Sequence, residues 1–242
     1  MRVDNPSKRL LLISNSTLYG HAYLDHVEEE IRDFLGGVAR VLFVPFALYD
    51  RQAYSAKVRE RLAAMGYGID PIPDEPGARR AVEEAQAVFI GGGNTFRLLK
   101  GLYEHGLLSS IGQRVEAGVP YIGSSAGSIV ACPTIKTTKD IPIVEPSSFR
   151  ALGLVTFQIS PHYLDPDPTS THMGETQEER ICQFLEENDA PVVGLREGAW
   201  LRVEGGSVVL KGSAGARLFR RGHDPVERVP GMKLDPFLSL GD

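Results

Sequence analysis

One short segment of the chain has the residue types that suit a nucleophilic serine: Gly-Ser-Ser-Ala-Gly at positions 123–127. The apolar run VPYI precedes it and the small, apolar run SIVA follows it, which predicts a buried strand, a tight turn and a helix. Small residues leave room for such a turn, and Ser125 would project from it, whereas Ser124 would point elsewhere. The N–H of Ala126 could then face a developing oxyanion. A plain strand-to-helix turn is the alternative interpretation.

A nucleophilic serine needs a neighbouring base at neutral pH, and the six histidines of the chain are the candidates. His162 directly follows the apolar run LVTFQISP, so we expect it at the end of a buried strand. His26 and His105 lie on predicted helices beside charged residues and are expected at the surface. His21 follows the first predicted strand and stays open as a site residue. Because no HExxH or similarly compact spacing occurs, no metal site is expected.

The base in turn needs a carboxylate that orients it, and two acidic residues are candidates by position. Glu197 follows the apolar run PVVGL, at the end of another predicted strand. Asp140 lies in TTKDIPI, a loop shortly after the helix that follows the serine. A surface ion pair is the alternative for each, and position alone does not choose between them.

The glycine-rich segment FIGGGNTF ends a predicted strand and begins a helix that Asn94 or Thr95 could cap. Such a turn also suggests phosphate or dinucleotide binding, but the segment fits neither GxGxxG nor a Walker loop. A second oxyanion donor fits better, with the N–H of Gly93 paired with that of Ala126. Asn94, beside this donor, is assigned to substrate binding.

The elements that must position these residues alternate along the chain. Apolar runs such as RLLLIS, RVLFVPFA and AVFIGGG are separated by amphipathic stretches, which is typical of a mostly parallel sheet covered by helices on both faces. LVTFQIS and PVVGL add two strands around a helix, and residues 95–118 form one long helix or two broken ones. The last portion, with its Gly-Gly turn, predicts antiparallel hairpins. We interpret residues 1–242 as a single domain.

Composition limits the classes of function. The net charge is −5, so no nucleic-acid partner is expected. Cys132 and Cys182 lie in no metal-binding or disulfide-framework spacing. The chain shows neither a signal-peptide pattern nor an apolar run of membrane-spanning length, and we expect a cytoplasmic protein without a membrane partner. The sequence leaves a homodimer open.

Six segments together match a known family, in the same order along the chain: FIGGGNTF, GSSAGS, TIKTTKDIPI, SPHY, HMGETQEERI and GLREGAWL. Through them the chain resembles the peptidase E family, the α-aspartyl dipeptidase group of serine peptidases, to which cyanophycinase is related. The resemblance implies a sheet fold like that of class I glutamine amidotransferases, with serine where those enzymes use cysteine. It also implies a cytoplasmic exopeptidase that cleaves dipeptides with an N-terminal aspartate and uses no cofactor.

The resemblance also implies roles for single residues. By motif, Ser125 is the nucleophile, His162 the base and Glu197 the carboxylate that contacts the base. Asp140 matches a second carboxylate that the family treats as essential, and Gly93 matches an oxyanion-hole glycine. The order Ser, Asp, His argues against an α/β-hydrolase, in which the acid usually follows after further βα units.

One position departs from the family pattern. The family commonly has GETR, and this chain has Gln177 in place of the arginine. An arginine binds a substrate carboxylate through two parallel hydrogen bonds, whereas glutamine offers one neutral NH₂ group. Losing a charged partner at a partly buried site costs about 2–4 kcal/mol of discrimination. We therefore expect broader or shifted specificity unless another cation substitutes. The candidate cations are Arg97, Lys136, Lys139, Arg180 and Arg196.

Short peptides are the expected substrates, and a carboxylate such as Asp140 or Glu145 could bind their free amino terminus. Two alternatives stay open. A cyanophycinase-like peptidase would cleave β-aspartyl links, but the GETQ segment and the compact chain count against it. An amidotransferase-like binding protein with an inactive site would not need Ser125, His162 and two carboxylates together.

Overall fold

A computed structural model describes residues 7–74, 76–171 and 173–238. Its strands are β1 (Arg9–Ile13), β2 (Arg40–Val44), β3 (Gly68–Pro71), β4 (Val88–Ile90), β5 (Tyr121–Ser124), β6 (Gln158–Pro161), β7 (Val192–Leu195), β8 (Ala199–Glu204), β9 (Ser207–Gly212), β10 (Ala216–Phe219) and β11 (Val226–Arg228). Seven of them form a sheet in the order β3-β2-β4-β5-β1-β8-β9. The five strands from β3 to β1 are parallel, and β8 and β9 form an antiparallel hairpin at the edge.

Helices cover both faces of this sheet. The α-helices of the described residues are α1 (Glu28–Leu35), α2 (Arg51–Ala64), α3 (Gly77–Glu84), α4 (Thr95–Glu104), α5 (Leu107–Glu116), α6 (Ala126–Val130), α7 (Gln177–Glu187) and α8 (Asp235–Leu238). Of these, α7 packs instead with Val192 of β7 and Phe219 of β10. The apolar sides of α1 and α2 pack into one core cluster, and those of α3 to α6 pack into a second cluster on the opposite face. Because the central strands are buried between two helical layers, their sequences are apolar without alternation. The predicted three-layer fold with C-terminal hairpins is confirmed.

The stretch from residue 95 to 118 forms two helices, which settles the alternative that the sequence left open. The break falls at Gly106, whose φ of 58° lies in the left-handed region. Glycine reaches this conformation without a steric penalty, so the chain ends α4 there and begins α5 at Leu107. The helix after the serine turn, α6, is only five residues long.

The two strands predicted around a helix, β6 and β7, lie in a separate sheet of order β11-β10-β7-β6. These two strands flank α7 in the sequence, as expected, and pair in parallel with each other. They do not extend the large sheet, in which β8 pairs with the edge of β1. Val193 and Leu195 of β7 share a core cluster with Leu10 and Leu12 of β1, so the two sheets pack against common apolar residues. That residues 1–242 form a single domain stays a prediction.

Among the described residues, none of the helices combines the length and the apolar character that a membrane span requires.

Candidate active site

Ser125 lies at the carboxyl end of β5, at the turn into α6. Its φ of 51° and ψ of −109° are unusual for a residue with a side chain. Such a backbone conformation costs about 1–3 kcal/mol and persists only where the surrounding structure fixes it. Here the N–H of Ser125 donates to the carbonyl oxygen of Ile13 at 2.9 Å, which ties the turn to β1. The geometry is that of a nucleophile elbow, with the side chain of Ser125 half-buried at the sheet edge.

Two glycines allow this turn because backbone segments approach them closely. A Cβ on Gly127 would overlap the carbonyl oxygen of Ile90 at the end of β4. A Cβ on Gly123 would lie 2.5 Å from the carbonyl oxygen of Gly127. That same oxygen accepts a hydrogen bond of 2.6 Å from the hydroxyl of Tyr121. The first turn of α6 is therefore packed directly onto the sheet, where no side chain fits.

Replacing Gly127 with alanine is expected to lower the free energy of unfolding by about 1–3 kcal/mol or more, because the new methyl group must displace backbone. A urea melt would measure the change. Gly112→Ala is the matched control: its Cβ in α5 would have nothing within 4 Å. This substitution should raise stability by about 0.5–1 kcal/mol. Equal midpoints for the two variants would contradict the packing described for Gly127.

A chain of hydrogen bonds runs from Ser125 through His162 to Glu197. The Oγ of Ser125 lies 2.9 Å from Nε2 of His162, and Nδ1 of His162 lies 2.6 Å from Oε1 of Glu197. His162 directly follows β6, and Glu197 follows β7 after one intervening residue. Because these strands are parallel neighbours with Pro161 opposite Leu195, the two side chains emerge at the same edge. The three residues form the arrangement of a nucleophile, a base and an orienting acid.

The backbone of His162 is held from both sides. Its φ is 51°, and its N–H donates to Oγ of Ser14 at 2.9 Å. Ser14 in turn donates to the carbonyl oxygen of Leu195 at 2.8 Å, so it links the ends of β1, β6 and β7. The carbonyl oxygen of His162 accepts from Nζ of Lys139 at 2.9 Å and from Nε2 of Gln177 at 3.2 Å. These contacts fix where the imidazole stands relative to the serine.

Sequence reasoning missed Ser14, although its position offered a clue. It directly follows β1, at the same carboxyl edge that carries Ser125. It is fully buried, and the two hydrogen bonds of its hydroxyl connect separate strands. A buried serine hydroxyl at a strand end needs hydrogen-bond partners, so its position predicts contacts with neighbouring strand ends.

The second candidate carboxylate, Asp140, contacts a different part of the site. Its Oδ2 accepts hydrogen bonds from the N–H of Thr95 at 2.7 Å and from the Thr95 hydroxyl at 2.6 Å. The hydroxyl of Thr138 adds a third at 3.2 Å. Asp140 thus holds the first turn of α4 in place. The carboxylate that reaches His162 is that of Glu197, which decides between the two positions that the sequence left open.

Asn94 caps α4 rather than standing free for a substrate. Its Oδ1 accepts from the N–H of Arg97 at 3.0 Å, and its Nδ2 donates to the carbonyl oxygen of Ile141 at 2.9 Å. Both polar atoms of the side chain therefore make hydrogen bonds within the protein, which differs from the predicted substrate contact. Glu145 lies exposed further along the same loop.

Two glycines of FIGGGNTF lie near the serine turn. A Cβ on Gly92 would be 3.1 Å from the Cβ of Ser125, so this peptide passes directly beside the candidate nucleophile. Gly93 has a φ of 133°, and a Cβ there would lie 2.7 Å from the carbonyl oxygen of Ala47. Neither the N–H of Gly93 nor that of Ala126 donates a hydrogen bond to another of the described residues. Both amides are available to a ligand, as the sequence predicts for a pair of oxyanion donors.

The remaining histidines with predicted positions lie away from this hydrogen-bond chain. His105 stacks on Phe46 with 4.7 Å between ring centroids, and His26 lies beside Trp200 at 6.3 Å. Both are half-buried rather than exposed, because their rings pack against aromatic side chains. His21 is exposed in the loop after β1. Within the part of the chain that the structure describes, no three His, Cys, Asp or Glu side chains converge as metal ligands would.

Comparison with known proteins identifies the family. The model of peptidase family S51 matches residues 10–211. The chain is 53% identical over 231 residues to a protein of Streptomyces coelicolor named peptidase E, covering 96% of this chain and 95% of that protein. It is 46% identical over 227 residues to a Drosophila melanogaster protein named a probable alpha-aspartyl dipeptidase, covering 93% and 95%.

The fold has a counterpart among solved structures. A crystal structure of a peptidase from an acI-B1 Actinobacterium superposes with a TM-score of 0.72, at 17% identity, covering 95% of this chain and 97% of that one. The three-layer architecture is thus shared with a chain of distant sequence. Together with the family match over most of the sequence, the comparisons show that this chain belongs to peptidase family S51.

Proposed function

We propose that this protein is a serine dipeptidase in which Ser125 is the nucleophile, His162 the general base and Glu197 the orienting acid. The observation that carries the proposal is the pair of hydrogen bonds of 2.9 Å and 2.6 Å that joins these three side chains. Its context is a chain of peptidase family S51 whose relatives are named peptidase E and alpha-aspartyl dipeptidase.

In the proposed reaction, Nε2 of His162 accepts the proton of the Ser125 hydroxyl while Oγ attacks the carbonyl carbon of the scissile peptide bond. The N–H groups of Gly93 and Ala126 donate to the resulting oxyanion. His162 then gives the proton to the leaving amine, and the C–N bond breaks. A water molecule, deprotonated by the same imidazole, attacks the acyl-serine ester and releases the first amino acid of the dipeptide.

Glu197 acts through the histidine. With Oε1 at 2.6 Å from Nδ1, it holds the proton on that nitrogen and leaves Nε2 free to accept from Ser125. It also stabilises the imidazolium that forms during the attack. Asp140 belongs to the oxyanion turn in this scheme, because its hydrogen bonds reach Thr95 and Thr138. It acts as a positioning residue for the segment that contains Gly93.

The expected substrate is a short peptide, and the name of the Drosophila relative makes an N-terminal aspartate the reference residue. The free thiols of Cys132 and Cys182 suit a reducing compartment, and the cytoplasm is the proposed location.

The direct test is a panel of dipeptides, Asp-Leu, Asn-Leu, Ala-Leu and β-Asp-Leu, incubated with the purified protein while released leucine is measured. We expect hydrolysis of α-linked dipeptides, and a serine-directed phosphonate should inactivate the protein and add its mass to the peptide that contains Ser125. Preferred cleavage of β-Asp-Leu would instead favour the cyanophycinase-like alternative. If the protein neither hydrolysed a dipeptide nor formed an adduct at Ser125, a binding protein with an inactive site would be favoured.

A further inference from the structure

We propose that Lys139 selects an acidic side chain at the N-terminal position of the substrate, in place of the arginine that Gln177 replaces. The inference rests on the proposed dipeptidase function and names the residue that sets its specificity. It concerns the backbone carbonyl oxygen of His162, which accepts hydrogen bonds from two side chains.

Positions 139 and 177 converge on one atom. Nζ of Lys139 and Nε2 of Gln177 both donate to the carbonyl oxygen of His162, at 2.9 Å and 3.2 Å. Two donors that share one acceptor lie close to each other. A positive charge on residue 139 therefore stands where a charge on residue 177 would also act. The acceptor belongs to the residue whose imidazole contacts Ser125, so either charge lies beside the catalytic base.

A small pocket of about 70 Å³ opens at this point. Lys139 and Gln177 line it together with Lys136, Arg180 and Ser160. None of the described residues in its wall is acidic, so the pocket has a positive potential. A carboxymethyl side chain is short enough for such a volume, and a carboxylate is the group that this wall would bind.

Two of the other four candidate cations already have partners. Arg196 donates to both carboxylate oxygens of Asp165 at 2.8 Å and 2.7 Å, and to both of Glu227 at 3.0 Å. Nζ of Lys136 donates to Oδ1 of Asn188 at 2.9 Å. These side chains would have to give up contacts before they could bind a substrate.

The remaining two cations have other neighbours. Arg180 lies 3.6 Å from a carboxylate oxygen of Glu175. The guanidinium of Arg97 lies 5.8 Å from the ring centroid of Tyr49. Lys139 forms no ion pair with any described residue, and it donates a hydrogen bond to the neutral carbonyl of His162. Lys136 likewise has no ion pair among the described residues, but of these two lysines it is Lys139 that contacts the residue carrying the candidate base.

The surroundings of Lys139 also make its charge sensitive to a ligand. The pKa of Lys139 is lowered to about 8, chiefly by desolvation and to a smaller extent by Arg180, while the carboxylates of Asp140 and Glu197 act in the opposite direction. A substrate carboxylate in the pocket would favour the protonated amine. In the free protein the charge is present below pH 8 and is lost as the pH rises through that value. The preference for an acidic residue should therefore weaken in alkaline solution.

Lys139→Gln tests the proposal, because glutamine can still donate to the carbonyl of His162 but carries no charge. The quantity to compare is kcat/KM for Asp-Leu relative to Asn-Leu, its neutral isostere. We expect the wild type to favour Asp-Leu by about tenfold or more and the variant to lose that preference. Hydrolysis of Asn-Leu should fall by a smaller factor than hydrolysis of Asp-Leu, because its neutral side chain does not depend on the charge of residue 139. Adding Gln177→Arg to Lys139→Gln should restore the preference.

Lys100→Gln removes the same charge from an exposed site on α4, where Nζ lies 3.8 Å from Glu104, and should leave the ratio unchanged. An unchanged ratio in Lys139→Gln would overturn the proposal. So would an equal loss on both substrates, which would mean that Lys139 only positions the backbone of His162. Equal rates on Asp-Leu and Asn-Leu in the wild type would refute the specificity role of Lys139 and leave the proposed dipeptidase function standing. If the wild type cleaved no dipeptide at all, the proposed function itself would fail.

Discussion

Replacing Ser125 with alanine is expected to lower kcat for dipeptide hydrolysis by about 10⁵-fold or more, because no other group can form the acyl intermediate. The change removes one oxygen atom and leaves the backbone of the turn unaltered. The helix α6 and its packing on Ile90 should persist, so the thermal midpoint should move little. Release of leucine from Asp-Leu, followed over hours at high protein concentration, would measure the residual rate.

Ser124 provides a matched control one residue away. Its hydroxyl is fully buried, and among the described residues it has no hydrogen-bond partner. Removing an unpaired buried hydroxyl costs little, so Ser124→Ala should keep activity within about threefold and stability equal or slightly higher. If Ser124→Ala abolished activity and Ser125→Ala retained it, the nucleophile would be Ser124 and the assignment to Ser125 would be wrong.

Glu197→Gln is expected to lower kcat by about 10⁴-fold, as substitution of the orienting acid does in other serine peptidases. The amide nitrogen of glutamine can donate to Nδ1, which would place the imidazole proton on Nε2. A protonated Nε2 cannot accept the proton of the Ser125 hydroxyl. The loss of the carboxylate also removes the partner of the imidazolium. The pH dependence of kcat/KM should therefore shift along with the rate, and a full pH profile would reveal both effects.

Asp140→Asn separates the two carboxylates. Asparagine keeps an acceptor for Thr95, and Asp140 makes no hydrogen bond to His162 among the described contacts. We expect a loss of no more than about 10²–10³-fold, the scale of a perturbed oxyanion donor, with the apparent pKa of the rate profile unmoved. If Asp140→Asn matched Glu197→Gln in both magnitude and pH dependence, the assignment of the orienting acid to Glu197 would be wrong.

Much of the fold follows from local pattern. The segments LLLI and VLFV of β1 and β2 are buried on both faces, and such runs between amphipathic helices have few arrangements other than a covered parallel sheet. The turn at Ser125 was predictable for a similar reason, since Gly123 and Gly127 mark backbone segments in close contact. In both cases a short run of residue types is enough to identify the element, even though the contacts of that element reach distant parts of the chain.

The parts that sequence reasoning did not reach depend on packing between distant segments. Whether Glu197 or Asp140 meets His162 is decided by the pairing of β6 with β7, which no local pattern encodes. The contact of Ser14 with Leu195 spans 181 residues. The meeting of Lys139 and Gln177 at one carbonyl depends on where a loop and the start of α7 lie against β6. Such contacts are properties of the assembled layers.

The division of the proposed catalytic groups between two sheets has a consequence for dynamics. Ser125 belongs to the large sheet, whereas His162 and Glu197 follow strands of the smaller one. A subglobal opening that separates the sheets would break the 2.9 Å contact between Ser125 and His162 while most backbone hydrogen bonds of each sheet stay intact. Activity therefore reports the cooperativity between the two layers, and it is lost in partly unfolded states that spectroscopy would still count as folded.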